Sequence, residues 1–305
     1  MHPDEVRRRI AGVVAIVPTP FDGDDRIDEA AFGGLLDRLT AGGVAAITVN
    51  GNTGEFFTLS PAEAGRLVEL AAGRTGDALF VAGVGFDPRT AVESARRARE
   101  LGAHAVMVHP PVHPYVSPQG WVDHHVRIAG ELPGLAVVPY LRDDRIGSAE
   151  LAALADACPN VVAVKYAVPD PVRVAAVVRG PGADRFAWIA GLAESHAPAA
   201  AVAGTVGFTS GLAVVHPELS DRMQQALARA DLPTAMRVWD EVHEFERLRA
   251  ADRSADNVGV VKEALARIGL CRPDVRPPAT RPAPPVVDAV RRIVDGWGLS
   301  ATPAR

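Results

Sequence analysis

Lysine is almost missing from this chain: of its 32 lysines and arginines, only Lys165 and Lys262 are lysine. Arginine, which stays protonated near neutral pH, supplies positive charge nearly everywhere else, so a retained lysine asks for a reason. Cysteine is scarce too. Cys158 and Cys271 lie far apart and match no metal-ligand spacing, which excludes a disulfide framework and leaves a reduced, cytoplasmic protein as the expectation. No apolar run approaches the roughly 18 to 20 residues of a membrane span, and no signal peptide is recognisable at the start. A net charge of −5 and the lack of a basic stripe interleaved with aromatics speak against nucleic acid. The short run Arg7-Arg8-Arg9 reads as the solvated face of an N-terminal helix. No Gly-x-Gly-x-x-Gly fingerprint follows the first strand, which argues against a dinucleotide-binding fold.

What is present is a β/α alternation. Short apolar runs recur at Val13–Val17, Val44–Val49, Leu79–Val84, Ala105–Val108, Leu135–Pro139, Val161–Lys165, Phe186–Ala190 and Thr205–Phe208. They are near-continuous rather than alternating, as parallel strands covered on both faces require. Between them lie alanine-rich amphipathic stretches with helix signals. Ser60-Pro61-Ala62-Glu63 is a capping box with proline at the first helical position. Another helix opens at Asp87-Pro88 and stops at Leu101-Gly102. Such units in succession predict an α/β fold, a (β/α)8 TIM barrel over residues 1–231. The strand signal then stops, and 232–305 reads as a C-terminal helical domain: Leu232–Ala251, Asn257–Leu270, a proline-rich crossing, and a last helix near Val286–Trp297.

In such barrels chemistry gathers at the C-terminal ends of the strands. That rule selects Pro18-Thr19-Pro20, the Asn50–Glu55 turn, His109-Pro110-Pro111, Tyr140, Lys165, Gly191 and Thr209-Ser210-Gly211. Lys165 ends the fully apolar run Val161-Val162-Ala163-Val164. Burial disfavours an ammonium ion, and a free amine there can attack the ketone of a 2-oxo acid; a buried lysine paired with a carboxylate is the other reading. Tyr140, one strand over, is placed to shuttle protons or simply to pack. The Gly51-Asn52-Thr53-Gly54 turn offers backbone N–H groups suited to a carboxylate, or is only a tight connection. His109, His113, His124 and His125 lack a carboxylate at ligand spacing, and proline interrupts the first pair, so no metal is expected.

Gly51-Asn52-Thr53-Gly54-Glu55, Tyr140 and Lys165, in this order and at these strand ends, resemble the dihydrodipicolinate synthase/N-acetylneuraminate lyase superfamily of class I aldolases. The likeness runs from Val14-Ala15-Ile16-Val17-Pro18-Thr19-Pro20-Phe21 to the helical tail. It implies that Lys165 forms an imine, that Tyr140 relays protons, and that Thr53 holds the tyrosine and the substrate carboxylate. It implies no cofactor, a small 2-oxo acid as partner, and a homo-oligomer, dimer or tetramer. Within the superfamily, Thr53-Gly54-Glu55-Phe56-Phe57-Thr58-Leu59, Cys158-Pro159-Asn160-Val161-Val162 and Val275-Arg276-Pro277-Pro278 are most similar to the 5-dehydro-4-deoxyglucarate dehydratases.

Departures accompany the likeness. Asn52 stands where the synthases have a first threonine, Leu141 follows the tyrosine where asparagine is usual, and no tyrosine aligns in Pro110-Pro111-Val112-His113-Pro114-Tyr115. Arg142 or Arg145 could hold a distal carboxylate, or both could belong to a solvated turn. The expected site is therefore Lys165, Tyr140 and Thr53 for catalysis, with Gly51, Asn52, Arg142, Arg145, Gly191, Thr209 and Ser210 around the substrate. Dehydration of a sugar-acid-derived 2-oxo acid is the leading expectation. An aldolase, a synthase-like condensation, or a catalytically silent metabolite-binding barrel with a relic lysine are the alternatives; a side chain such as Val112 or Tyr166 plugging the pocket would favour the last. Lys262 is expected to be structural near the barrel or at a subunit contact, and Asp252 and Arg253 to lie in a solvated turn.

Overall fold

The computed structural model describes residues 1–299; the last six residues of the expected tail domain, 300–305, lie outside the described residues. The strands are β1 (Val13–Ile16), β2 (Ala46–Val49), β3 (Leu79–Val84), β4 (Ala105–Val108), β5 (Ala136–Leu141), β6 (Ala163–Tyr166), β7 (Ala187–Ala190) and β8 (Gly207–Ser210). They pair in sequence order, and β1 closes on β8 with parallel register. Every strand residue is buried, because side chains pointing inward fill the barrel while the alternate set meets the surrounding helices. Val14, Ile16, Leu79, Val81, Met107 and Val138 belong to the interior. Val6 and Ile10, at the N-terminal helix Pro3–Arg9, join that interior cluster.

The apolar runs locate all eight strands, with β3 and β4 at the expected bounds. Elsewhere the ladder begins or ends a residue or two away. Val161 and Val162 precede β6: Val161 makes only an isolated bridge to Val137. β8 runs to Ser210, two residues beyond its expected end at Phe208. Hydrophobicity marks what is buried, whereas hydrogen-bond register fixes where a strand starts. The Ser60 capping box forms as read: Ser60 N–H donates to Glu63 Oε2 at 2.8 Å and Glu63 N–H to Ser60 Oγ at 3.2 Å.

Beyond residue 231 the helices Leu232–Ser254, Asn257–Arg267 and Pro284–Gly296 follow. Ala235, Val238, Val242 and Phe245 are fully buried along the first of them, which packs against Ala193–Ala203 and Pro217–Ala228. Its last turn is broken: Ala251, Asp252 and Arg253 depart from helical backbone angles. Among the described residues no helix is long and apolar enough to cross a membrane.

Candidate active site

Strand pairing places the two principal side chains. Tyr140 on β5 is the register partner of Lys165 on β6, and both point into the barrel, because inward and outward positions alternate along a strand. Lys165 Nζ lies 4.0 Å from the centre of the Tyr140 ring. Lys165 is 5% exposed and has no carboxylate partner among the described residues. The buried-pair reading of this lysine is thereby removed. Burial first, then the positive charges of Arg142 and Arg249, lower its pKa to about 7. Half of the amine is then neutral near physiological pH, where an exposed lysine would be almost wholly protonated. The observed rate of imine formation should accordingly rise with pH through about 7 and level off above it. Trapping rates measured between pH 5.5 and 9 check this; a rise continuing towards pH 10.5 would contradict it.

Burial raises the pKa of Tyr140, with Arg142 and the Asn52 hydrogen bond pulling it partly back. At rest it is a phenol, able to give a proton. Its hydroxyl accepts from Asn52 Nδ2 at 3.3 Å, which corrects one expectation: the tyrosine is held by Asn52, not Thr53. The turn explains the difference. Gly54 N–H donates to Gly51 O at 2.9 Å and Glu55 N–H to Asn52 O at 3.0 Å. This tight fold presents residues 52 and 53 to different parts of the cleft. A Cβ on Gly211 would come within 3.4 Å of Thr53 Cγ2, so Thr53 sits beside the end of β8. Gly51 itself does not line the cleft; a Cβ there would stand 2.4 Å from Ile16 Cγ2, so its task is close approach to β1.

The cleft measures about 290 Å³ and is lined by Asn52, Thr53, Tyr140, Arg142, Lys165, Gly191 and Thr209, all expected from the sequence. Besides Gly51, two expected residues are elsewhere. Arg145 forms an exposed ion pair with Asp143 at 2.6 Å, two residues away on the same loop, and is not in the cleft wall. Ser210 is fully buried behind it, donating to Glu194 Oε1 at 2.6 Å. Because β8 runs on to Ser210, it and Thr209 face opposite sides. Among the described residues nothing plugs the opening. Tyr166 points outward, edge-on to Trp188 at 5.9 Å, and Val112 is 58% exposed. His109, buried with its pKa lowered to about 3 by that burial, stacks on Phe56 and binds Asn50 O through Nε2 at 2.8 Å.

Sequence reasoning missed Ser195 and His196 after β7, and Glu246, Arg249, Arg253 and Asn257 from the tail. Arg253 is exposed, as expected for a turn, yet it faces the cleft. Lys262 is structural beside the barrel: its ammonium pairs with Glu55 and donates to Asp274 O at 2.7 Å.

Comparison with known proteins agrees with this geometry. The sequence profile of the dihydrodipicolinate synthetase family matches residues 9–295. A probable 5-dehydro-4-deoxyglucarate dehydratase of Rhizobium rhizogenes is 30% identical over 304 residues, 97% of this chain and 98% of that protein. One from Saccharopolyspora erythraea is 32% identical over 284 residues, 91% of each chain. The crystal structure of dihydrodipicolinate synthase from Oceanobacillus iheyensis superposes with a TM-score of 0.90 at 34% identity, covering 97% of this chain and 99% of that one.

Proposed function

The chain belongs to the dihydrodipicolinate synthetase family, and from that premise we propose that it is a lysine Schiff-base lyase that dehydrates a 2-oxo acid derived from a sugar acid, of the type of 5-dehydro-4-deoxyglucarate. The observation that supports this most is that Lys165, buried and without a carboxylate partner among the described residues, lies beside Tyr140 in one open cleft.

The chemistry follows from those states. The neutral Lys165 amine adds to the C2 carbonyl, and Tyr140 supplies the proton with which the carbinolamine oxygen leaves as water. The phenolate so formed is held by the Asn52 N–H and lies against the new iminium charge. It then takes a proton from C3, and the electron pair flows into the iminium to give an enamine. Return of that pair expels the C4 hydroxyl, which departs as water with a proton. The carboxylate on C5 then leaves as CO2, its bonding pair passing through the C3=C4 double bond into the iminium. Proton return to C3 and ketonisation of the C5 enol give the aldehyde, and hydrolysis of the imine frees Lys165. Asn52 and Thr53 hold the C1 carboxylate on the β2 turn, and Arg142, Gly191 and Thr209 line the remainder.

Dehydration is favoured over synthase-like condensation by Asn52. An amide here replaces the hydroxyl of the synthases' first threonine and can donate to the tyrosine without taking part in a proton chain. Incubation with 5-dehydro-4-deoxyglucarate should yield 2,5-dioxopentanoate, read by mass spectrometry, at a turnover of at least about 1 s⁻¹, ordinary for an enzyme on its own substrate. No turnover of that acid, together with efficient condensation of pyruvate with an aldehyde, would overturn the assignment. We further propose a cytoplasmic homo-oligomer, as the family resemblance implies.

A further inference from the structure

One wall of the cleft comes from the tail, and it carries two arginines. Arg249, on the helix Leu232–Ser254, is 4% exposed. Its Nη1 donates to Glu246 Oε1 at 2.6 Å and its Nη2 to Asn257 Oδ1 at 3.2 Å, while its Nε–H is buried without an acceptor among the described residues. The guanidinium lies against the end of β8: a Cβ on Gly211 would come within 2.7 Å of Nη2. Its charge reaches Lys165, where it disfavours the ammonium form.

Two residues further on, at Ala251, the helix breaks. Asp252, Arg253 and Ser254 take φ values of 45°, 54° and 68°, and none of them is glycine. Consecutive left-handed residues of this kind are costly and persist where the surroundings demand them, often at ligand clamps. The break brings Arg253 and Ser254 to the cleft, and the next helix begins there, with Asn257 and Val258 in the wall. Its N-cap, Asp256, makes no side-chain bond to the first turn, so N–H groups carrying partial positive charge remain free of that cap. With Arg142, the residue after β5, three arginines and Lys165 line a cleft in which Glu246 is the one carboxylate among the described residues.

We propose that this tail wall is the subsite for a second carboxylate of the substrate, with Arg253 as the specificity-determining contact and Arg249 as the anchored cation behind it. The inference rests on the 2-oxo acid reading above: with one carboxylate on the β2 turn and the ketone at Lys165, a monoacid would leave Arg253 without a carboxylate, since Glu246 already pairs with Arg249. The class selected is a 2-oxo acid carrying carboxylates at both ends. Arginine suits this task because its planar fork of donors pairs with both oxygens of a carboxylate. Arg253 is exposed, so replacing it leaves the core intact.

Titration calorimetry with 2-oxoadipate and 2-oxohexanoate tests this, since these six-carbon acids differ only in the far carboxylate and neither has a hydroxyl to lose. The wild-type protein should prefer the diacid by about 10- to 100-fold in Kd, the scale of one charge-assisted pair. Arg253→Ala should reduce that preference by about tenfold or more, and Arg253→Lys should keep part of it. Equal affinity for the two acids, an undiminished preference in Arg253→Ala, or no binding of either acid overturns the subsite. Borohydride trapping on the wild-type protein separates the two readings. A diacid preference that depends on Arg253, with no covalent adduct formed, leaves the subsite standing and defeats the imine.

Discussion

Replacing Lys165 by methionine is expected to remove activity and stabilise the fold at the same time. The amine is the covalent centre of the proposed reaction, and its loss should lower kcat by roughly 10⁴-fold or more, the scale on which enzymes lose rate when a nucleophile is deleted. Stability should move the other way. Lys165 has a pKa of about 7 when folded against 10.5 when free, so the folded chain binds fewer protons than the unfolded one. That deficit costs nothing above pH 10.5, grows as pH falls, and is fully present below about pH 7, where it amounts to a few kcal/mol in rough terms. Methionine fills a similar volume without a charge to bury. The variant should therefore melt higher than wild type at pH 6 and converge with it near pH 10. A variant that is both inactive and less stable at pH 6 would mean that Lys165 is a structural lysine.

Lys262→Met should have the largest effect in the opposite sense. Its ammonium is fully buried against Glu55, and burial pulls its pKa down while Glu55 pushes it back. Glu55 also accepts from Arg276 N–H at 2.9 Å and itself sits at φ 58°, directly after the turn that carries Asn52 and Thr53. The tail thus clasps the loop that is proposed to bind the C1 carboxylate. Removing one member of a buried pair strands the other, at a cost of about 3–5 kcal/mol. In a chain of this size that is a fall in Tm of roughly 5–10 °C. The double variant Glu55→Gln/Lys262→Met should recover much of the loss, since no uncompensated charge remains. Thermal melts of the three proteins decide the matter; a double variant no better than Lys262→Met would show that packing, and not the charge pair, holds the tail to the turn. The KM for the 2-oxo acid should rise in the single variant as the turn loosens.

Both retained lysines are thus buried and both lie near the C-terminal ends of the strands, one proposed to react and one paired with Glu55. Composition flagged both, because a residue type used twice where arginine is used throughout marks places that arginine does not fit, but the pairing of Lys262 with Glu55 came only from the fold. The barrel was legible because continuous apolar runs report burial on both faces. The strand-end rule placed Tyr140 and Lys165 among the candidates, and the family resemblance gave them their expected roles. The remainder depended on distances that sequence does not carry. Whether Asn52 or Thr53 reaches Tyr140 is decided inside a turn of four residues. Thr209 and Ser210 were separated by a two-residue difference in where β8 ends, and alternation sent one into the cleft and the other to Glu194. Arg145 is drawn away by Asp143, a neighbour as near in sequence as in space. Arg249 and Arg253 gave no signal, since they are two arginines among many, on a helix whose return to the barrel mouth is a matter of tertiary packing.

The covalent role of Lys165 is tested most directly by the mass of the wild-type protein after borohydride reduction in the presence of a 2-oxo acid. The expected result is a single adduct of the reduced acid, mapped by peptide sequencing to Lys165 and absent from Lys165→Met, with a yield that rises through about pH 7. A wild-type protein that gains no mass, or one that carries its adduct on Lys262 or on the N-terminus, would contradict a Schiff base at Lys165.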